Sequence, residues 1–308
     1  MKELLTPKQV ARALAVSESS VKRWCDRGII STQYTAGGHR RIPLAGLVRY
    51  LRSTGHELVA PEVIGLPVAS GRTQWVLDRA AEEFAQALLA GDLARSRQIM
   101  LDLYLAEHSV STICDDVVAA ALAEIGDRWA CGHAEIYEER RGCDITLYLL
   151  HDLASLLPPA APGAPLAIGA APGGDHYNIG TTMAALVLRD AGWHATSLGN
   201  HLPWETLAAA IRAQRPRLFW LSCSHVADEP AFLRGYGDLY DEFGMEVAIV
   251  VGGRALDESL RSQMKYAAYC DKMRHLEAFA QALHRSEGPA AAATTGSAAS
   301  GAVVRSVT

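Results

Sequence analysis

The sequence predicts a multidomain α and α/β protein: an N-terminal winged helix-turn-helix, a four-helix bundle and a C-terminal Rossmann-like parallel sheet. Three patterns predict this fold class. Two short helices joined by a turn precede a glycine-rich basic turn within 3–52. Apolar residues recur three and four positions apart over 73–156, and short apolar strands alternate with helices over 166–286. With 49% hydrophobic and 20% charged residues, the composition excludes a wholly disordered, collagen-like or disulfide-scaffold protein.

Segment 1–55 is predicted to be the winged helix-turn-helix domain. Thr6-Pro7 starts a first helix, and Val16-Ser17 turns the chain into a second helix with polar and basic residues on one face. In TAGGHRRIP (35–43), two glycines form a tight turn before a basic wing suited to phosphate. A protein-binding helical domain with an incidentally basic face is the alternative. The residues expected to contact DNA are Ser20, Lys22, Arg23, Arg27, His39, Arg40 and Arg41.

The distribution of charge supports a polyanion as the partner of this segment alone. Residues 1–55 carry ten Lys or Arg and three acids, a net of +7 in a chain whose total is −5, so the remainder carries −12. Like-charge repulsion would keep that acidic remainder away from a polyanion. No apolar run reaches the roughly 18–20 residues of a membrane span and no secretory signal begins the chain, so we expect a cytoplasmic protein. Six scattered cysteines without a CxxC pair favour reduced thiols.

The remaining segments follow from composition and periodicity. Residues 56–72, with two Pro and two Gly in 56–71, are predicted to be a linker, and 73–157 to be the four-helix bundle. Four Pro within 157–165 end the bundle. The Rossmann-like domain, 166–286, alternates strands and helices, so ligands are expected at the carboxyl ends of its strands. The small-residue tail, 287–308, is predicted to be disordered.

Two sets of motifs resemble known families. The wing Gly37-Gly38-His39-Arg40 matches the GGxR motif of the MerR family of winged-helix regulators. The strand ends resemble a cobalamin-binding domain, with a D/E-x-H-x-x-G turn at 175–180, Leu198-Gly199, a Ser-rich loop at 222–224, and Gly252-Gly253, a pair that lets a nucleotide tail approach the backbone. With the bundle in front, the chain is similar to the CarH/LitR type of light-responsive repressor.

This resemblance implies a light-responsive transcriptional regulator rather than an enzyme. Its partners would be double-stranded DNA, as a palindromic or tandem operator, and further copies of itself in a dimer or tetramer, with no membrane partner. A cobalamin between bundle and sheet would control oligomerisation and operator binding. Two alternatives remain, a corrinoid-binding carrier or enzyme subunit and a ligand-free dimeric regulator. No catalytic residue is assigned.

The sequence departs from the family at both faces of the expected corrin. In the W-x9-E-H motif that covers the upper face, Trp129 and Glu139 match, but Arg140 replaces the His. In the turn, Tyr177 occupies the place of the cobalt-ligating His, and His176 lies one position early. A neutral phenol is a poor cobalt ligand. No metal ligand is therefore certain; His176 or Tyr177 would act if cobalamin is bound.

Two cofactors consequently stay open, cobalamin or a linear tetrapyrrole such as biliverdin, which needs polar anchors but no axial ligand. Cys131 is a possible thioether attachment point, although we favour a small buried hydrophobe, a common state of Cys. The residues expected to bind the cofactor are Trp129, Cys131, Glu139, Arg140, Asp175, His176, Tyr177, Gly180, Leu198, Gly199, Ser222, Ser224, His225, Gly252 and Gly253.

Overall fold

The computed structural model describes residues 4–66, 71 and 73–285. The predicted disordered tail, 287–308, lies outside the described residues, and so do 67–70 and 72 of the predicted linker. The predicted fold class is confirmed: a winged helix-turn-helix, a helical bundle and a parallel α/β sheet follow one another along the chain.

The N-terminal domain consists of three short strands and three helices. Thr6 Oγ1 accepts from the Gln9 backbone N–H, and the Gln9 side chain accepts from the Thr6 N–H, which fixes the start of the first helix. The middle strand pairs with the other two in antiparallel fashion to form the wing. The elements are β1 Leu4–Leu5, α1 Pro7–Ala13, α2 Glu18–Asp26, β2 Gln33–Tyr34, β3 Arg40–Pro43 and α3 Leu44–Thr54.

Part of the segment predicted to be a linker belongs to this domain instead. The backbone N–H groups of Val59 and Ala60 donate to the Ala13 carbonyl at the end of α1. A 3₁₀ helix, Pro61–Ile64, follows, and both Ile64 and Leu66 are buried. Proline and glycine end regular helices here, but the apolar side chains between them still cover the core.

The bundle contains the four predicted helices, the third of which is irregular. Gly91, at φ +72°, ends the first helix in the left-handed region that favours glycine. The third helix opens as α-helix, widens into a π-helical stretch over 113–119 and continues as α-helix. The elements are α4 Gln74–Ala90, α5 Leu93–Leu105, α6 Val110–Thr112, the π-helical stretch Ile113–Ala119, α7 Ala120–Ala130 and α8 Ile136–Leu156.

The C-terminal domain is a five-stranded parallel sheet with the order β5-β4-β6-β7-β8. The elements are β4 Leu166–Ala170, α9 Ile179–Asp190, β5 His194–Ser197, α10 Trp204–Gln214, β6 Leu218–Ser222, α11 Glu229–Phe243, β7 Ala248–Gly252, α12 Glu258–Arg261, β8 Ala268–Tyr269 and α13 Met273–Arg285. The order reverses at β4, because β5 lies on one side of it and β6 on the other. A crevice therefore opens at the carboxyl ends of these strands.

The bundle packs on the α9 and α13 face of this sheet. Asp115, in the π-helical stretch, accepts from the backbone N–H groups of Met273 and Arg274 at the start of α13, at 2.7 and 3.0 Å. The Arg274 guanidinium also pairs with Asp115 and Asp116. Within 4–66, 71 and 73–285, no helix is long and apolar enough to cross a membrane.

Candidate functional site

The predicted DNA-contacting residues lie on α2 and on the wing between β2 and β3. Ser17 caps α2 by accepting from the Ser20 N–H at 3.1 Å, and Val21 and Cys25 turn toward the core. The opposite side of the helix therefore faces solvent. The side chains that the structure leaves exposed are Lys22, Arg23, Arg27 and His39, whereas Ser20, Arg40 and Arg41 are half-buried.

Arg40 joins the wing to the end of α2. Its Nε and Nη2 donate to Asp26 Oδ1 at 3.0 and 2.8 Å, and its guanidinium lies 5.8 Å from the Tyr34 ring centre. The hydrogen bond to Asp26 raises the pKa of Arg40 above its ordinary value. Arg41 donates to the Arg40 carbonyl at 3.2 Å. The predicted phosphate contact at Arg40 thus belongs to a guanidinium that is already paired within the domain.

Two further arginines of the basic segment bind the bundle. The Arg52 guanidinium lies 3.9 Å from the Tyr104 ring centre and donates to the carbonyls of Tyr104 and His108, the latter at 3.2 Å. Arg49 donates to the Ser155 carbonyl at 3.5 Å. A cavity of about 330 Å³ lies between α3, α5 and α8 beside these contacts. Part of the basic excess therefore docks the domain rather than facing DNA.

Asp175 organises the carboxyl ends of β4 and β6. It is fully buried, and its Oδ1 accepts from the Tyr177 N–H at 3.0 Å. Its Oδ2 accepts from the N–H groups of Ser224 and His225, at 2.5 and 3.2 Å. Sequence reasoning expected a polar anchor for a ligand here. The carboxylate instead holds two loops together through backbone N–H groups.

The neighbouring turn residues are positioned by partners that the sequence did not reveal. The His176 ring stacks on His201 with ring centres 4.4 Å apart, and the His176 carbonyl accepts from the Asn200 side chain at 2.6 Å. Tyr177, 37% exposed, lies below the Arg254 guanidinium at 5.5 Å. Arg254 was not among the predicted cofactor-binding residues, although its position directly after Gly252-Gly253 could have indicated that it lies at this edge.

The glycines of the predicted pocket are required by close contacts within the chain. A Cβ on Gly180 would lie 2.6 Å from Ser222 Oγ. A Cβ on Gly252 would lie 2.3 Å from the Cys270 carbonyl oxygen, and one on Gly253 would lie 2.2 Å from that of Cys223. Gly199, beside Leu198, has φ +99° and its N–H donates to Ser197 Oγ at 3.2 Å.

The bundle residues predicted to cover a ligand form a separate group where α7 ends and α8 begins. Trp129 is 51% exposed and so does not belong to the core of the bundle. Cys131 is exposed as well, so the favoured expectation of a buried hydrophobe is wrong for this turn position. Glu139 pairs with Arg140 at 3.5 Å and accepts from the Cys143 thiol at 3.8 Å.

In the part of the chain that the structure describes, this group has no polar or ring contact with the carboxyl edge of the sheet. Among the described residues, no hydrogen bond, ion pair or ring contact links Trp129 or Glu139 to the turn at 175–177. Helix α8 reaches the sheet near His151, which lines a cavity of about 100 Å³ with residues of α9 and β5. Glu139 lies twelve positions before His151, roughly 18 Å along the helix axis.

Comparison with known proteins accounts for all three parts of the chain. A helix-turn-helix domain model matches residues 4–55, and two B12 binding domain models match 80–147 and 165–280. The HTH-type transcriptional repressor CarA of Myxococcus xanthus is 24% identical over 262 residues, 82% of this chain and 88% of CarA. The repressor CarH of the same organism is 31% identical over 147 residues, 46% of this chain and 48% of CarH. The chain is therefore similar to the repressors CarA and CarH, to CarA over most of its length.

A solved structure shows the same fold in a different setting. The monomethylamine corrinoid protein of Methanosarcina barkeri superposes with a TM-score of 0.53 and 14% identity, covering 69% of this chain and all of the other. At that identity the likeness establishes the fold alone. The bundle and the sheet therefore share their fold with this corrinoid protein.

The residues at this edge of the sheet do not fit a cobalamin that is ligated by a protein imidazole. Tyr177 occupies the ligand position beside a cationic guanidinium, and the His176 ring is stacked on His201. Gly252 and Gly253 are explained by carbonyls of the chain itself.

Proposed function

We propose that this chain is a DNA-binding transcriptional regulator whose operator binding is controlled by a flat tetrapyrrole held between the bundle and the carboxyl edge of the sheet. One observation carries the proposal: an exposed basic recognition helix and two B12-binding regions occur in a single chain. CarA, the repressor that matches most of its length, supports a regulator over a corrinoid carrier or an enzyme subunit.

The ligand is a corrinoid or a linear bilin. The B12-binding regions support a corrinoid, cobalamin in the first place. The absence of an imidazole at position 177 and the exposed thiol of Cys131 favour a bilin such as biliverdin, which needs no axial ligand. Trp129, Glu139 and Arg140 would face the ligand from the bundle, and His176, Tyr177 and Arg254 from the sheet.

The regulation that we propose is linkage between ligand state and self-association. A ligand that contacts both bundle and sheet stabilises one relative orientation of the two. Light absorbed by the ligand then alters the bundle surface through which copies associate, and avidity for tandem operator sites changes with it.

The DNA-binding half is tested by the salt dependence of operator affinity. Arg23→Ala removes an exposed guanidinium from α2, so it weakens binding and lowers the slope of log K against log salt by about 0.9. Arg234→Ala is the matched control, because it removes an exposed helical arginine from the acidic body. Equal slopes for wild type and Arg23→Ala would contradict the assignment.

The ligand half is tested by absorption spectra. The protein is purified after separate supply of cobalamin and of biliverdin, and spectra and operator binding are recorded in darkness and after illumination. Corrin bands establish a corrinoid, and a red or far-red band that requires biliverdin establishes a bilin. A colourless protein whose DNA binding ignores light would support the ligand-free dimeric regulator and refute the proposal.

A further inference from the structure

Trp220 fills the space between the sheet and α9. The side chain lies in the middle of β6 and is 2% exposed. Its indole Nε1 donates to Thr181 Oγ1 at 3.0 Å, and Thr181 Oγ1 lies 3.1 Å from Ser197 Oγ. The ring is therefore held in one position from α9, while it packs among apolar side chains of the α9 and α13 face.

Small residues border this indole on the sheet and toward its carboxyl edge. Gly169 pairs with Trp220 in the parallel register, and a Cβ on Gly169 would lie 2.1 Å from Trp220 Cδ2. Ser222 lies two residues after Trp220 on the same face of the sheet, nearer the carboxyl edge, and pairs with Gly252. Gly180 borders Ser222 from α9. Small residues on four elements, β4, β6, β7 and α9, thus border a slot, and a single large ring closes it.

We propose that Trp220 determines ligand specificity by closing this slot to tetrapyrroles that carry a nucleotide tail. This inference rests on the proposed function. A tail that approached the backbone at Gly252 would meet the indole two residues deeper, roughly 7 Å away along the strand. A linear bilin, or a corrin ring without its nucleotide, extends nothing into the slot. Discrimination therefore comes from a clash with the disfavoured ligand rather than from added contacts with the favoured one.

The test compares cobinamide, the corrin ring without the nucleotide, with cobalamin and biliverdin. Each is titrated into the full-length protein in darkness, and binding is followed by absorption. We expect wild type to bind cobinamide at least about tenfold more tightly than cobalamin. Trp220→Ala opens the slot, so it raises cobalamin affinity about tenfold or more and leaves cobinamide and biliverdin affinities within about threefold.

Trp220→Phe is the matched control, because a smaller ring still occupies the slot, and it should keep most of the discrimination. If Trp220→Ala fails to fold, the proposal is tested by the ratio of cobinamide to cobalamin affinity in the wild type and in Trp220→Phe. Equal wild-type affinities for cobinamide and cobalamin would overturn the role of Trp220 and leave the proposed function intact. If neither corrinoid nor biliverdin binds wild type or Trp220→Ala, the proposed function fails, and this inference fails with it.

Discussion

Substitution of the buried Asp175 should lower the stability of the fold more than any other single substitution at the carboxyl edge of the sheet. Asp175→Asn keeps the size of the side chain but replaces one of the two carboxylate oxygens by an NH₂ group. Only one oxygen then remains to accept from the three backbone N–H groups. In its best orientation the amide still accepts from Ser224 and His225, and its NH₂ group then opposes the Tyr177 N–H. One charge-assisted hydrogen bond is lost outright and two become neutral.

The free energy follows from these three bonds. A hydrogen bond to a charged group contributes about 1.5–3 kcal/mol and a neutral one about 1 kcal/mol. At the lower end of these values the substitution should cost about 3 kcal/mol of unfolding free energy. At roughly 2–4 °C per kcal/mol for a chain of this size, the melting temperature should fall by about 6–12 °C. Circular dichroism during thermal unfolding measures that shift.

Asp228→Asn provides the control for this measurement. Asp228 caps α11 by accepting from the Ala231 N–H at 2.9 Å, and Asn caps helices about as well as Asp. Its melting temperature should stay close to that of wild type. A shift below about 2 °C for Asp175→Asn would refute the reasoning, because it would mean that the three backbone donors find other partners.

Three further outcomes are expected. Asp26→Asn releases Arg40 and removes a negative charge, so operator affinity rises and the salt slope steepens by about 0.9; an unchanged slope would contradict this. Alkylation at pH 8, mapped by mass spectrometry, should modify the exposed Cys131 first. Burial raises the pKa of Cys143 and Cys270 to about 11, so both stay as unreactive thiols; labelling of either before Cys131 would contradict this. Tyr177→His alone should not yield a histidine-ligated cobalamin spectrum, whereas Tyr177→His combined with Trp220→Ala should; success of the single variant would show that the slot is no barrier.

Local patterns predicted the elements well. The strands at 166–170 and 218–222 coincide with short apolar runs between helical segments, the pattern from which the sheet was predicted. Ser17 as the cap of α2 and Gly91 as the end of α4 also follow from residue type alone. Capping and periodicity are properties of neighbours in sequence, which a single chain displays in full.

Contacts between distant residues were not predictable in this way. Asp175 reaches backbone groups 49 and 50 positions away, and Trp220 lies against Gly169 on another strand. The pairing of Arg40 with Asp26 likewise depends on how the wing folds back on α2. A carboxylate, an indole or a guanidinium has the same local signature whether it faces a ligand or another part of the chain.

For two copies bound to tandem sites, as proposed above, the docking of α3 on the bundle would set the spacing between the recognition helices. Arg49 and Arg52 donate to carbonyls at or just beyond the ends of α8 and α5, so these contacts attach the domain that carries the recognition helix α2 to the bundle. B-DNA repeats every 10–10.5 base pairs, and an insertion of about five turns one half-site to the opposite side of the duplex. Two recognition helices attached in this way to associated copies could not both reach half-sites on opposite sides of the duplex. Its operators should therefore be phased to whole helical turns, and spacing would matter as much as base sequence.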